Sequence, residues 1–402
     1  MAVMGHGGDR GADEGPRPFE VPMGDVFADV PLFREIQRIL LSSPGPVNWE
    51  LARQVGIATA QWGREDPAPG PEDQRAFEDA VRLAELQVAG ATGLEPPPDL
   101  PVVRAVRRAE WVRASVEGLR DVLEPAAQRI ARAVEAVGEG APRGQAGEDL
   151  ASQLLTQLSP LLLGAQVGTV LGMLGQQVLG QYDVALPRSR PAELLFVAPN
   201  IRAFERDWSL PPEEVRAWVA LHEVTHRFEF GRAWVPARFR ALLDDYLSTL
   251  RFDAEALRER LERVDPADPA SLQELLGSDE GLGGVVLDGE QRLKLGRVQA
   301  FLAAAEGYGD HVTRAVARRI LPAHPRIEEA VRRREAGPGD PLFERLLGIE
   351  VEREHHRLGA AFCDRVAELA GEAVLARMWE EPDALPSLPE LEEPRLWLAR
   401  MG

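Results

Sequence analysis

The chain has 402 residues, 45% of them apolar, and a formal net charge of −19 at pH 7. This supplies a sizeable core for one large domain or two smaller ones and excludes general disorder. The acidic balance argues against a nucleic-acid partner, because neutralising phosphates needs a basic face.

Residues 1–22 are rich in Gly, Asp and Pro and lack the apolar stretch of a signal peptide, so a disordered tail is expected there. A helical region over 23–140 should follow, and a second region over 148–402 packed with it. Apolar residues at three- and four-residue steps predict helices over 31–41 and 49–62. The run GREDPAPGPEDQ at 63–74 reads as a loop, and helices are expected over 75–88, 109–119 and 126–137. A second breaker, GEGAPRGQAGED at 138–149, marks the boundary between the two regions.

The stretch LLLGAQVGTVLGMLGQQVL at 161–179 approaches the length of a membrane span. Gln166, Gln176 and Gln177 interrupt it, however, and no cationic flank follows. Gly164, Gly168, Gly172 and Gly175 recur at helical spacing, which predicts a buried helix closely approached by a neighbour. No membrane insertion is therefore expected, and the cytoplasm is the expected location. Tyr182 and Asp183, after this helix, read first as a plain turn, with an approach to the chemical site as the other reading. Leu194 to Val197 form the best strand, stopping at Pro199 and Asn200. Long helices are then expected over 212–230, 236–261, 291–320 and 348–369, with a loop at 277–289 that has room for a second short strand. Cys363, the single cysteine, excludes a disulfide within the chain and reads as a small core residue beside Phe362 and Val366. No repeat of fixed period is present. The expected fold is mostly α, a multi-helix arrangement with a short, minor β element near the helix that carries the chemistry.

That helix is EEVRAWVALHEVTHRFEF, from Glu213 to Phe230. Pro211 and Pro212, followed by Glu213 and Glu214, form a helix-start signal with carboxylates on the positive end of the dipole. Within it, His222, Glu223 and His226 make an H-E-x-x-H. Imidazoles at i and i+4 share one face and can converge on one ion. Glu223, one residue on, is placed beside the metal, where it can take a proton from an activated water. Chance would produce this motif in roughly one such sequence in a hundred. Core histidines hydrogen-bonded to neighbours are the structural counter-reading.

A catalytic zinc needs a third protein ligand. The apolar run RVQAFLAAA leads into Glu306, a carboxylate out of place there without a strong partner. Asp310 shares its helix face and would orient a ligand imidazole from behind. Gly307 and Gly309 would let this helix press on the H-E-x-x-H helix. His311 ranks next as third ligand, although its helical phase points it elsewhere. The His355–His356 pair lies in a charged stretch that suits a solvated face, and His324 beside Pro325 suits a turn.

These motifs, with FADVPLFREIQRIL, GPVNWELARQ, GQYDVALP, LLFVAPNI, EGYGDHV and LPSLPELEEPRLWLAR, resemble the zincin-like hydrolase family that began as a domain of unknown function. Some of its members are associated with deazaflavin coenzyme biosynthesis. The resemblance implies one zinc ion held by His222, His226 and Glu306, Glu223 as general base, and a peptide or other amide as substrate. It also places the strand at 195–198 where zincins lay out an extended substrate. Eighty residues separate His226 from Glu306, a wider gap than in thermolysin-like chains. A non-catalytic zinc protein, structural or accessory to cofactor biosynthesis, is the alternative. Neither the oxyanion-stabilising residue nor the oligomeric state is legible.

Overall fold

A computed structural model describes residues 45–139, 146–183, 186–187, 193–249, 288–335 and 353–402. The tail at 1–22, the helix expected over 31–41 and the possible strand before Asp288 lie outside the described residues. Ser43–Gly402 forms one compact unit. The fold is mostly α with a two-stranded parallel sheet.

Helix α1 (Trp49–Gln61) starts at Asn48, whose side-chain oxygen accepts from the Leu51 N–H at 2.8 Å. Helix α2 (Pro71–Thr92) begins within the stretch expected to be loop. Pro71 fits the first helical turn, and Asp73 reaches back to the Gly70 N–H at 3.0 Å, so the sequence PEDQ is a helix start. Residues 108–139 form one helix, α3 (Arg108–Glu139), rather than two. Pro125 lies inside it, at a local cost of about 3 kcal/mol. Burial of Leu119, Val122 and Ala127 on either side of the proline outweighs that cost.

Helix α4 (Ala146–Gly175) carries the glycine series and packs along α1. A Cβ at Gly164 would collide with the Asn48 carbonyl, one at Gly168 with the Ala52 carbonyl, and one at Gly172 would stand 2.6 Å from the Gly56 carbonyl. The glycines therefore serve backbone-to-backbone packing. Among the described residues no helix is long and apolar enough to cross a membrane.

Strand β2 (Glu193–Val197) pairs in parallel with β1 (Val102–Val106), from Val102 opposite Glu193 to Val106 opposite Val197. β1 was not anticipated, since it is short, broken by Arg104 and preceded by prolines. β2 is not a free edge. β1 covers one side, while Gly180 bridges Phe196 and the Val197 N–H donates to the Leu179 carbonyl at 2.8 Å on the other. The outer side of β1 is closed by one amide: Gln74 donates to the Val103 carbonyl at 2.8 Å and accepts from the Ala105 N–H at 2.9 Å. The resemblance's edge-strand role for 195–198 thus meets a strand already engaged at both sides.

After α5 (Ala198–Asp207) comes the central helix α6 (Pro212–Phe230), buried almost all round from Val215 onward. Arg227 ties it to Glu85 of α2 at 2.7 Å and to the Asp99 carbonyl. Helices α7 (Trp234–Thr249), α8 (Gly289–Ile320), α9 (His324–Glu335) and α10 (Arg353–Ala370) follow, then short helical turns to Met401. α8 lies between α6 and α10. Its Gly307 meets Gly359 of α10 rather than α6, and only Gly309 faces the H-E-x-x-H helix.

Gly168→Ala should lower stability by about 1–3 kcal/mol, because the rigid Ala52 backbone must move. Gly90→Ala, at an exposed position of α2 with open space beyond it, should raise stability by up to about 1 kcal/mol. Urea unfolding of the two variants checks this; equal shifts would contradict the close packing.

Candidate metal centre

The centre is assembled from α6, α8 and the segment between α4 and β2. On α6, His222 and His226 stand one turn apart with ring centroids at 4.5 Å. α8 crosses them and brings up Glu306, so that one donor atom each from His222, His226 and Glu306 lie within 4.8 Å of one another. Two nitrogens and a carboxylate oxygen form a donor set that suits zinc.

His226 is wholly buried. Phe230 stacks on its ring at 5.5 Å, and Tyr182 lies 5.9 Å away. Its Nδ1 is 2.9 Å from Oε2 of Glu229, while Nε2 has no partner among the described residues. With the Nδ1–H donated to Glu229, the lone pair resides on Nε2, the tautomer a metal requires. A Cβ at position 309 would stand 2.9 Å from that same Nε2. Gly309 thereby keeps the space beside it clear.

Glu229 was missed in the sequence. Its signal was present, as a carboxylate three residues after His226 on the same buried face, in the apolar run RFEF. Asp310 lies close enough to His222 to favour its protonated form. The bond to the fully buried imidazole comes from Glu229.

Glu223 is also wholly buried. The Tyr182 N–H reaches its two carboxylate oxygens at 2.9 and 3.1 Å, and a Cβ at Gly180 would collide with the carboxylate. The segment read as a plain turn is therefore part of the site. Asp183 brings a carboxylate oxygen within 4.8 Å of donor atoms of His222 and Glu223. Its Oδ2 accepts from the Leu179 N–H at 2.7 Å and from Arg334 at 3.1 Å. Two further bonds anchor the segment: Trp111 donates to the Gly180 carbonyl at 3.0 Å, and Asn200 donates to the Val178 carbonyl at 2.7 Å.

Burial sets the electrostatics. It raises the pKa of Glu223, and raises that of Glu229 further with help from Glu306. It pushes His226 well below the usual histidine range, with His222 adding to the effect. At His222 burial also acts downward, but Glu223, Glu306 and Asp310 outweigh it and hold the pKa at about 9. So many ionisable groups in a dry interior are costly unless a cation balances the carboxylates. His222, Glu306, Asp310 and Asp183 are half-buried and form the accessible side, with Glu223, His226 and Glu229 behind them.

The other histidines are placed elsewhere. His311 lies between Asp364, at 2.6 Å, and Glu372, at 3.1 Å, joining α8 to the chain around α10. His324 opens α9, with Nδ1 3.2 Å from the Leu321 carbonyl. His355 sits on α10, and the side chain of His356 is outside the described set. Cys363 is buried, and burial raises its pKa well above the usual thiol range, as for a core thiol.

His311 gives the fold a pH dependence. Burial acts to lower its pKa, yet the Asp364 and Glu372 carboxylates raise it from 6.5 to about 9. Its stabilisation is therefore fully present below pH 6.5 and is lost as pH rises through about 9. Urea midpoints should fall across this window in the wild type and fall less steeply in His311→Asn. Identical slopes would contradict the assignment.

A family profile for zincin-like metallopeptidases matches residues 47–398. The crystal structure of a hydrolase candidate with a novel fold from Chloroflexus aurantiacus is similar to this chain, with 28% sequence identity and a TM-score of 0.63, covering 88% of this chain and 98% of that one. No curated protein matches. With the profile spanning nearly all of the described residues, the chain belongs to the zincin-like metallopeptidase family.

Proposed function

We propose that the protein is a zinc-dependent hydrolase of amide bonds, with His222, His226 and Glu306 as the metal ligands and Glu223 as the general base. Family membership and the hydrolase-like neighbour support the reaction class. The observation that carries the metal is His226: a buried Nε2 without a partner, beside two further donors within 4.8 Å. When bound, zinc supplies a Lewis acid that lowers the pKa of water towards neutrality and polarises a carbonyl.

The protein's own residues do the rest. Glu229 fixes the His226 ring through Nδ1 and favours the tautomer that leaves Nε2 basic. Glu223 is held by the Tyr182 N–H, so its carboxylate has little rotamer freedom left to lose. Burial raises its pKa towards the working range of a base that takes a proton from water and passes it to a leaving amine. The half-buried side formed by His222, Glu306 and Asp310 admits the substrate, a peptide or other amide. A zinc that only joined α6 to α8 would not need a buried carboxylate fixed beside His222, and this favours the enzyme over the structural alternative.

Glu223→Gln should bind zinc as the wild type does and cleave a mixture of tryptic peptides at least about 100-fold more slowly. Mass spectrometry of the digest, with metal content measured on the same samples, checks both. Wild-type cleavage by the variant would refute the role of Glu223.

A further inference from the structure

Glu229 holds His226 through Oε2, while its other oxygen, Oε1, is buried and has no partner among the described residues. The Tyr308 hydroxyl and the Trp379 Nε1 are buried and unpartnered in the same way. We propose that Tyr308 is a positioning residue for the metal centre: through one buried water, its hydroxyl supplies the hydrogen bond that Oε1 of Glu229 needs. That the centre holds zinc rests on the reading above; the contact between Tyr308 and Glu229 does not.

The fold brings the two residues to one imidazole. On α8, Tyr308 stands two residues after Glu306 and directly before Gly309, where a Cβ would lie 3.5 Å from Nδ1 of His226. That nitrogen is the one Glu229 holds, at 2.9 Å, from the next turn of α6. The Tyr308 ring is fixed: the residue is wholly buried, and Trp379 meets it edge-on with ring centroids at 5.7 Å. Burial raises the pKa of its hydroxyl well above the usual tyrosine range, and among the charges that act on it Glu229 comes first.

The three atoms are complementary. A carboxylate oxygen accepts, an indole N–H donates, and a phenol does either. A buried water makes about three hydrogen bonds to groups of this kind. Here it would donate to Oε1 and accept from Tyr308 and Trp379. Held at both oxygens, the Glu229 carboxylate cannot turn away from Nδ1. The proton of His226 then stays on Nδ1 and the lone pair on Nε2, where a metal takes it.

The test is the zinc affinity of the full chain, read by competition with a chromophoric chelator. The chains compared are the wild type, Tyr308→Phe, Glu229→Met, the double variant and Tyr246→Phe. Tyr246 is the control, since it too is wholly buried with an unpartnered hydroxyl, but on α7. Tyr308→Phe should weaken zinc binding about tenfold, while Tyr246→Phe leaves it unchanged. In the Glu229→Met chain, which has no oxygen to hold, Tyr308→Phe should cost nothing further. A Tyr308→Phe chain that binds zinc as tightly as the wild type, a loss no larger than that of Tyr246→Phe, or additive losses in the double variant overturns the proposal. Urea unfolding of the same chains with metal removed reads the contact alone, and additive shifts in midpoint there overturn it too. Non-additive midpoints in a chain that binds no zinc would sink the zinc reading and keep the contact, while zinc binding with additive midpoints would do the reverse.

Discussion

An imidazole in a dry interior can satisfy both of its nitrogens or pay for leaving one bare, and His226 is built around the second choice. Glu229 engages Nδ1, aromatic rings enclose the faces, and Nε2 meets no protein partner among the described residues. An unsatisfied buried nitrogen costs on the order of 1–3 kcal/mol. The neighbouring carboxylates make this arrangement worse for a proton-only interior and better for a divalent cation, because Glu306 acts on Glu229, and Asp183 on Glu223, as like charges unless a positive charge stands among them. The pKa of His222, raised to about 9 by Glu223, Glu306 and Asp310 against the effect of burial, reflects the same field.

The rest of the fold can be understood as what permits such a cluster. α6 must be buried to keep it dry, and α8 must come close enough to present Glu306. Gly309 allows that approach at the point of contact with His226. Gly180 does the same on the opposite side for Glu223. The segment that carries Gly180 has little secondary structure, so it is pinned by side chains from separate elements: Trp111 from α3, Asn200 from α5 and Arg334 from α9. The small parallel sheet adds the bond from Val197 to Leu179. Helices distant in sequence therefore converge on one short stretch of backbone.

Much of this was legible in the sequence because it has helical period. The pairing of His222 with His226 and the burial of the glycine-spaced helix follow from four-residue spacing, the start of α6 from its prolines and glutamates, and the choice of Glu306 from a carboxylate that closes an apolar run. What escaped had no such period. β1 is five residues long and half exposed, stabilised by a side-chain amide from α2 that no local pattern announces. Helix α3 runs through Pro125 because packing on both sides of the proline exceeds its local cost. Tyr182 acts through a backbone N–H, which its side chain does not reveal. Glu229 is the exception, since its spacing from His226 is readable, but the sequence offers Asp310 as well for the place behind an imidazole, and only the fold gives that place at His226 to Glu229.

The most direct measurement is the metal content of the purified full-length chain by plasma mass spectrometry, taken beside that of His226→Ala. The account expects about one zinc per wild-type chain and a large loss in the variant, since the donor with no other partner has been removed. A wild-type chain carrying no transition metal, or a His226→Ala chain that retains zinc at wild-type stoichiometry, would contradict it.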